Sequence, residues 1–168
     1  MNARSLIFLF LLVGCAPDAQ VVNREGEPEV VHVRTDDSDM NAAMASARRS
    51  VDGFVQEIPS LLSSGAYFSV KVPLEVSGGT EHIWLDSPSI NGGVFQGALG
   101  NVPLDSSYRL GQRVSCEVGE ISDWMAVVDG ELYGGYTVLV ARDQMSKADR
   151  RAFDNSVGFK VPEVAREF

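Results

Sequence analysis

The most specific chemical signal in the sequence is a cysteine that ends a short apolar run. Leu12-Val13-Gly14-Cys15 has the pattern of a bacterial lipobox, in which a signal peptidase cuts before a cysteine that carries lipid. The Cys15 thiol is then the nucleophile that takes the lipid, and two or more chains such as palmitate give stable anchoring. The pattern predicts lipidation at Cys15, and the alternative is an ordinary secretory signal with a chance cysteine.

The residues before Cys15 have the composition of an export signal. Residues 1–5 carry Arg4 and no acid, and residues 6–13 form a run of eight apolar residues, a usual length for the apolar part of a signal peptide. A transmembrane helix needs about 20 apolar residues, so this run is too short to span a bilayer. We therefore predict a lipoprotein signal peptide at residues 1–14.

The segment that follows differs in composition from the rest of the chain. Residues 15–37 are rich in acids, contain two prolines and have no helical period, which predicts a flexible, lipid-anchored acidic tether. Residue 16 is alanine, not the aspartate that retains many lipoproteins at an inner membrane. The expected location is the extracytoplasmic face of the bacterial cell envelope, at the outer membrane if the host has two membranes. Residues 38–168 would form a single domain with a hydrophobic core.

The charge balance limits the partners that we expect. The chain has 14 basic and 23 acidic residues and a formal net charge of −9. Nucleic acid is therefore not expected, because phosphate binding needs clustered lysine and arginine. The expected partners are the membrane, through the lipid on Cys15, and an envelope protein or glycan.

Groups suited to catalysis are few after the tether. Nucleophilic hydrolysis needs a serine or cysteine beside a base, and His82 is the histidine that the predicted folded region offers. The sequence has no Gly-x-Ser-x-Gly elbow, no zinc-ligand spacing and no phosphate-binding glycine loop, so neither a metal nor a cofactor is expected. A small hydrolase that uses His82 with Glu81 or Asp123 remains the alternative to a non-catalytic protein.

Both tryptophans stand beside polar residues, and this pattern predicts a binding patch. His82 and Trp84 share one face of a predicted strand, because side chains alternate along a strand. Asn101 lies in a predicted loop, where its amide could contact a ligand. In the alternative, both tryptophans are structural and nearby polar groups satisfy their N–H groups. The candidate patch consists of His82, Trp84, Asn101, Asp123 and Trp124.

One long helix and several short strands would have to position these residues. Acidic caps and apolar residues at spacings of three and four predict a helix over residues 39–58 that ends before Pro59. Ser146 and Asp149 predict a short C-terminal helix, and Asp129-Gly130 predicts a hairpin turn. Alternating apolar residues and turn signals predict strands over residues 67–74, 81–86, 94–99, 112–118, 121–128 and 136–141.

These elements together predict an α+β fold class. The long N-terminal helix would pack on a curled antiparallel sheet of about five to six strands, followed by the short C-terminal helix.

Four short segments stand out by their order along the chain. They are Glu81-His82-Ile83-Trp84-Leu85, Gly97-Ala98-Leu99-Gly100-Asn101-Val102-Pro103, Ile121-Ser122-Asp123-Trp124-Met125 and Gly134-Gly135-Tyr136-Thr137. This order resembles the YegJ-like family of bacterial domains of unknown function, over roughly residues 39–142. The resemblance implies a small α+β domain that is sometimes exported as a lipoprotein, and it implies no known reaction.

The sequence therefore favours a membrane-anchored lipoprotein that acts as a non-catalytic binding or interaction module of the cell envelope. The small hydrolase is the alternative.

Overall fold

One long helix lies on one face of a six-stranded antiparallel sheet. The computed structural model describes residues 21–22, 30–31, 37–77 and 79–168. The predicted signal peptide, Cys15 and most of the predicted tether lie outside these residues. The helices are α1 (Ser38–Ser64), α2 (Tyr136–Gln144) and α3 (Lys147–Ser156). The strands are β1 (Val21–Val22), β2 (Val30–Val31), β3 (Tyr67–Val76), β4 (Gly79–Asn91), β5 (Val94–Leu99), β6 (Arg113–Glu117), β7 (Asp123–Val128) and β8 (Glu131–Gly134).

The sheet places its strands in the order β6-β5-β4-β3-β7-β8, and β1 and β2 form a separate antiparallel pair. The predicted α+β class and the helix-on-sheet arrangement are confirmed. Two short helices follow β8 where the sequence predicted one. Among the described residues, no helix combines the length and the apolar character that a bilayer crossing requires.

The predicted cap begins α1, but the predicted end at Pro59 is wrong. The Asp37 carboxylate accepts hydrogen bonds from the backbone N–H groups of Asp39 and Met40, each at 3.0 Å. Pro59 removes one N–H from the helix, yet it lies on the exposed side, and buried Leu61 extends the apolar stripe by another turn. Packing of this stripe on the sheet therefore outweighs the local preference of proline to end a helix.

The face of the sheet that α1 covers, the inner face, holds the hydrophobic core. Alternate residues of β3 (Phe68, Val70 and Val72) pack with α1 there. Trp124 of β7 is fully buried on this face, and its ring stacks on Phe54 of α1 with the centroids 4.8 Å apart. Its Nε1–H donates to the carbonyl oxygen of Ala47 at 3.1 Å, so the indole has both apolar contacts and a hydrogen-bond acceptor.

The predicted strand over residues 136–141 is instead the start of α2. Tyrosine, threonine and valine favour strands, but tertiary contacts override this preference. The Asp123 carboxylate accepts from the backbone N–H groups of Tyr136 and Thr137 at 3.2 and 2.8 Å, as a helix N-cap does. Gly134 has a φ of 65°, and a Cβ there would overlap the carbonyl oxygen and ring of Trp124. The glycine therefore allows the chain to leave β8 close to Trp124 and enter the helix.

Candidate functional site

The face of the sheet opposite α1, the outer face, brings charged and aromatic side chains together on three adjacent strands. Lys71 of β3 lies opposite Trp84 of β4 and opposite Asp123 of β7. His82 of β4 lies opposite Pro73, one step further along the same face. We call this group, with two neighbours that bond to it, the Lys71 cluster: Lys71, His82, Trp84, Ser122, Asp123 and Thr137.

Asp123 forms the buried base of the Lys71 cluster. Its Oδ2 accepts from the Thr137 hydroxyl at 2.6 Å and its Oδ1 from the Trp124 backbone N–H at 2.8 Å, in addition to the two N–H groups of α2. Burial raises the pKa of Asp123 above its ordinary value, while Thr137, Lys71 and the backbone donors oppose this shift. Because its hydrogen bonds hold the start of α2 and the Thr137 hydroxyl that accepts from Lys71, the carboxylate acts as a structural support within the cluster.

Lys71 lies between this base and Trp84. Its Nζ donates to the Thr137 Oγ1 at 3.1 Å and lies 5.1 Å from the centroid of the Trp84 ring. That distance is within the range of a cation–π contact. Burial lowers the pKa of Lys71, and the negative charge of Asp123 opposes this shift. The ammonium group therefore connects the buried carboxylate to a partly exposed aromatic ring.

His82 is held by a second polar contact of the cluster. Its Nδ1 lies 2.5 Å from the hydroxyl oxygen of Ser122, a residue with no exposed surface. Burial lowers the pKa of His82, and the positive charges of Lys71 and Arg48 lower it further. The imidazole is therefore mainly neutral at pH 7. It is also only partly buried, so it can contact a ligand at the outer face.

Glu81 does not join His82, although the two residues are neighbours in the sequence. Side chains alternate along β4, so Glu81 lies on the same side as buried Ile83, opposite to His82. Both oxygens of Glu81 accept from the backbone N–H of Leu104 at 2.9 Å, which fixes the loop after β5. The carboxylate therefore serves the fold at this position.

The structure separates the five residues of the predicted patch. His82, Trp84 and Asp123 share the outer face, whereas Trp124 points to the inner face because adjacent strand residues alternate. Asn101 is partly buried and follows Gly100, whose N–H donates to the carbonyl oxygen of Trp84 at 2.8 Å. The backbone at Asn101 is thus tied to the strand that carries Trp84.

Sequence reasoning missed Lys71, Ser122 and Thr137. The alternation in β3 predicted that Lys71 faces away from the core, but only strand pairing reveals that Trp84 and Asp123 lie beside it. Thr137 was assigned to a strand, which hid its role at the start of a helix. The cap joins residues that are 13 and 14 positions apart, so no local pattern in the sequence indicates it.

A groove lies between α1, α2 and the last residues of the chain, apart from the Lys71 cluster. It is open and has a volume of about 810 Å³. At its wall the Tyr136 hydroxyl oxygen lies 2.6 Å from both the Ser50 hydroxyl and the Glu167 carboxylate. Within the described part of the chain, no group of three or more His, Cys, Asp or Glu side chains is arranged to hold a metal ion.

Comparison with known proteins assigns the chain to a family. The family described as "Uncharacterized protein conserved in bacteria (DUF2314)" matches residues 37–161, and the chain belongs to it. "Uncharacterized protein YegJ" of Escherichia coli (strain K12) is 33% identical over 100 residues, which cover 59% of this chain and 64% of that protein. The resemblance to YegJ-like domains is therefore confirmed.

A further relative comes from Neisseria meningitidis serogroup B and carries "ankyrin repeat protein" in its name. It is 31% identical over 142 residues, which cover 79% of this chain and 56% of that protein. The chain thus spans less than two thirds of the length of each of these two relatives. No solved structure matches the chain.

Proposed function

We propose that this member of the family is a non-catalytic binding module of the bacterial cell envelope. The lipid on Cys15 holds it at the membrane, and the outer face around Trp84, His82 and Lys71 binds an envelope protein or glycan. One observation carries the proposal: two partly exposed rings stand on a buried polar base that is already hydrogen-bonded.

The contacts that hold the Trp84 and His82 rings favour binding, because these side chains lose little conformational entropy when a ligand binds. The Lys71 ammonium group lies against the Trp84 ring and is hydrogen-bonded to Thr137, and Ser122 contacts the His82 ring. A ligand that contacts these rings would meet side chains with little freedom left to lose. Tryptophan offers an apolar surface and a polar N–H, which suits both protein and sugar surfaces.

The hydrolase alternative has less support. A general base must reach the proton that it takes, but both oxygens of Glu81 are bonded to the Leu104 N–H on the other side of β4. Asp123 has no exposed surface and accepts four hydrogen bonds. Ser122, the hydroxyl beside His82, is also fully buried, so a substrate would not reach it without rearrangement of the sheet.

The anchor is tested with a lipid label in cells. We expect the full chain to incorporate a palmitate analogue and to sediment with membranes, and Cys15→Ser to lose both properties. Cys116→Ala is the matched control, because Cys116 is buried and should accept no label. Label that persists in Cys15→Ser would reject the anchor at this residue.

The binding face is tested by cross-linking in cells followed by purification from the envelope. We expect Trp84→Ala and His82→Gln to lower the amount of recovered partner at least about tenfold, as loss of a central contact does. Leu62→Ala is the matched control, since Leu62 is 62% exposed but lies on α1, away from the outer face. Equal recovery from all variants would reject the outer face as the binding surface. Treating the complexes with protease or with glycosidase distinguishes a protein partner from a glycan.

A further inference from the structure

The two edge strands of the six-stranded sheet differ in their backbone hydrogen bonding. At the β8 edge, the last segment of the chain adds backbone hydrogen bonds: Leu132 N–H donates to Lys160 and Gly134 N–H to Arg166, at 3.1 and 2.8 Å. At the other edge, β6 pairs with β5 on one side, and no described residue pairs with it on the other. An open strand edge is a template for pairing with another chain.

The pairing of β6 with β5 determines which backbone groups point to the open edge. Hydrogen-bonded pairs alternate with non-bonded pairs in an antiparallel ladder. Val118 N–H donates to the Gly93 carbonyl at 2.9 Å, and Leu99 N–H donates to the Gln112 carbonyl at 3.0 Å. Because bonded pairs recur every second residue from these two, the β6 residues that bond to β5 are Val114 and Cys116. The residues whose N–H and C=O groups face outward are Arg113, Ser115 and Glu117.

These three residues are complementary to a second copy of themselves. If two β6 strands pair antiparallel about Ser115, then Ser115 lies opposite Ser115 of the other copy, and Arg113 lies opposite Glu117. All three positions are then hydrogen-bonded pairs, so every outward N–H and C=O group finds a partner. Arg113 and Glu117 are both exposed, and the two-fold axis brings opposite charges together twice.

We propose that β6 is a homodimerisation edge at which two copies of the chain join their sheets about a two-fold axis through Ser115. The charges favour this partner over others, because edges that avoid pairing usually carry charges that repel an incoming strand. The opposite charges across a strand pair stabilise it instead. The proposal does not rest on the binding function, since β5 separates β6 from β4, which carries His82 and Trp84.

The register is tested by disulfide trapping of the full chain in cells. Residues in a hydrogen-bonded antiparallel pair have Cα atoms about 5.5 Å apart, within the roughly 4.4–6.8 Å that a disulfide spans. With Cys116→Ala as background, we expect Ser115→Cys to give a covalent dimer at least about tenfold more abundant than Ser106→Cys, an exposed loop control. Equal trapping at both sites, or a Ser115→Cys cross-link only to a different protein, would overturn the proposal.

The charge pattern gives a second test that does not depend on a cysteine. We expect Arg113→Glu and Glu117→Arg each to raise the dimer dissociation constant of the purified full chain about tenfold in sedimentation experiments, because each creates two like-charge pairs. The double variant exchanges the charges and should restore the original value. A double variant as weak as the single variants, or a wild-type chain that is monomeric at every concentration, would contradict a two-fold pairing of β6.

Discussion

The two tryptophans of this chain lie on opposite faces of the same sheet and have different partners. Trp124 is fully buried under α1, stacks on Phe54 and donates its N–H to a helix carbonyl. Trp84 is partly exposed and lies over the ammonium group of Lys71. The inner face therefore holds the fold together, and the outer face presents side chains that a partner can reach.

Asp123 connects these two faces, because it comes directly before Trp124 in β7. Trp124, the next residue, points into the core, while the Asp123 carboxylate caps α2 and holds the Thr137 hydroxyl that accepts from Lys71 on the outer face. A sheet with alternating side chains can thus use adjacent residues for stability and for the candidate site.

The largest expected difference is between alanine substitutions of the two tryptophans. Trp124→Ala removes a buried ring and should lower the free energy of unfolding by about 3–5 kcal/mol. Trp84→Ala removes a partly exposed ring and a cation–π contact and should lower it by about 1–2 kcal/mol. Urea unfolding followed by circular dichroism measures both, with no dependence on tryptophan fluorescence. Equal losses would mean that the two faces are buried to the same extent.

The next effect concerns the residue that joins the faces. Asp123→Asn keeps the shape of the side chain but turns an NH2 group toward donors of Thr137, so we expect a loss of about 1–3 kcal/mol in the free energy of unfolding. Asp129→Asn is the matched control in the exposed hairpin turn of β7 and β8, where asparagine tolerates the positive φ. A loss no larger than that of the control would remove Asp123 as the support of the outer face.

The smallest effect is a pH dependence that His82 gives to the outer face. Burial, Lys71 and Arg48 hold the pKa of His82 below its ordinary value of 6.5, so the unfolded chain binds the proton more readily than the folded one. The stability from the neutral imidazole is present above pH 6.5 and is lost as the pH falls through the folded-state pKa. His82→Gln does not titrate and should show a shallower decrease of unfolding free energy below this pH. The same decrease in both proteins would contradict the burial of His82.

The sequence best predicted those elements that depend on residues close to one another in the chain. Alternation identified β3 and β5, Asp129-Gly130 identified the turn between β7 and β8, and an acidic cap identified the start of α1, whereas β8 itself was not predicted. Two wrong assignments, the end of α1 and the strand over residues 136–141, come from distant contacts. Packing of Leu61 carries α1 past Pro59, and the carboxylate of Asp123 turns residues 136–141 into a helix.

The candidate site was predicted only in part, for the same reason. The shared face of His82 and Trp84 follows from strand parity and was correct. The neighbours that complete the cluster, Lys71 and Thr137, come from β3 and α2, and strand register and a helix cap bring them together. Trp124 was grouped with Trp84 because both stand beside polar residues. Adjacent side chains of a strand point to opposite faces, however, so Trp124 lies in the core while Asp123 lies on the outer face.

The most direct test of the account is acrylamide quenching of each tryptophan alone in the full chain. Trp124→Phe leaves Trp84 as the reporter of the outer face, and Trp84→Phe leaves Trp124 as the reporter of the inner face. We expect Trp84 to be quenched several-fold more strongly than Trp124, with circular dichroism confirming that both variants are folded. Strong protection of Trp84, or equal quenching of the two residues, would contradict an accessible outer face opposite a closed core.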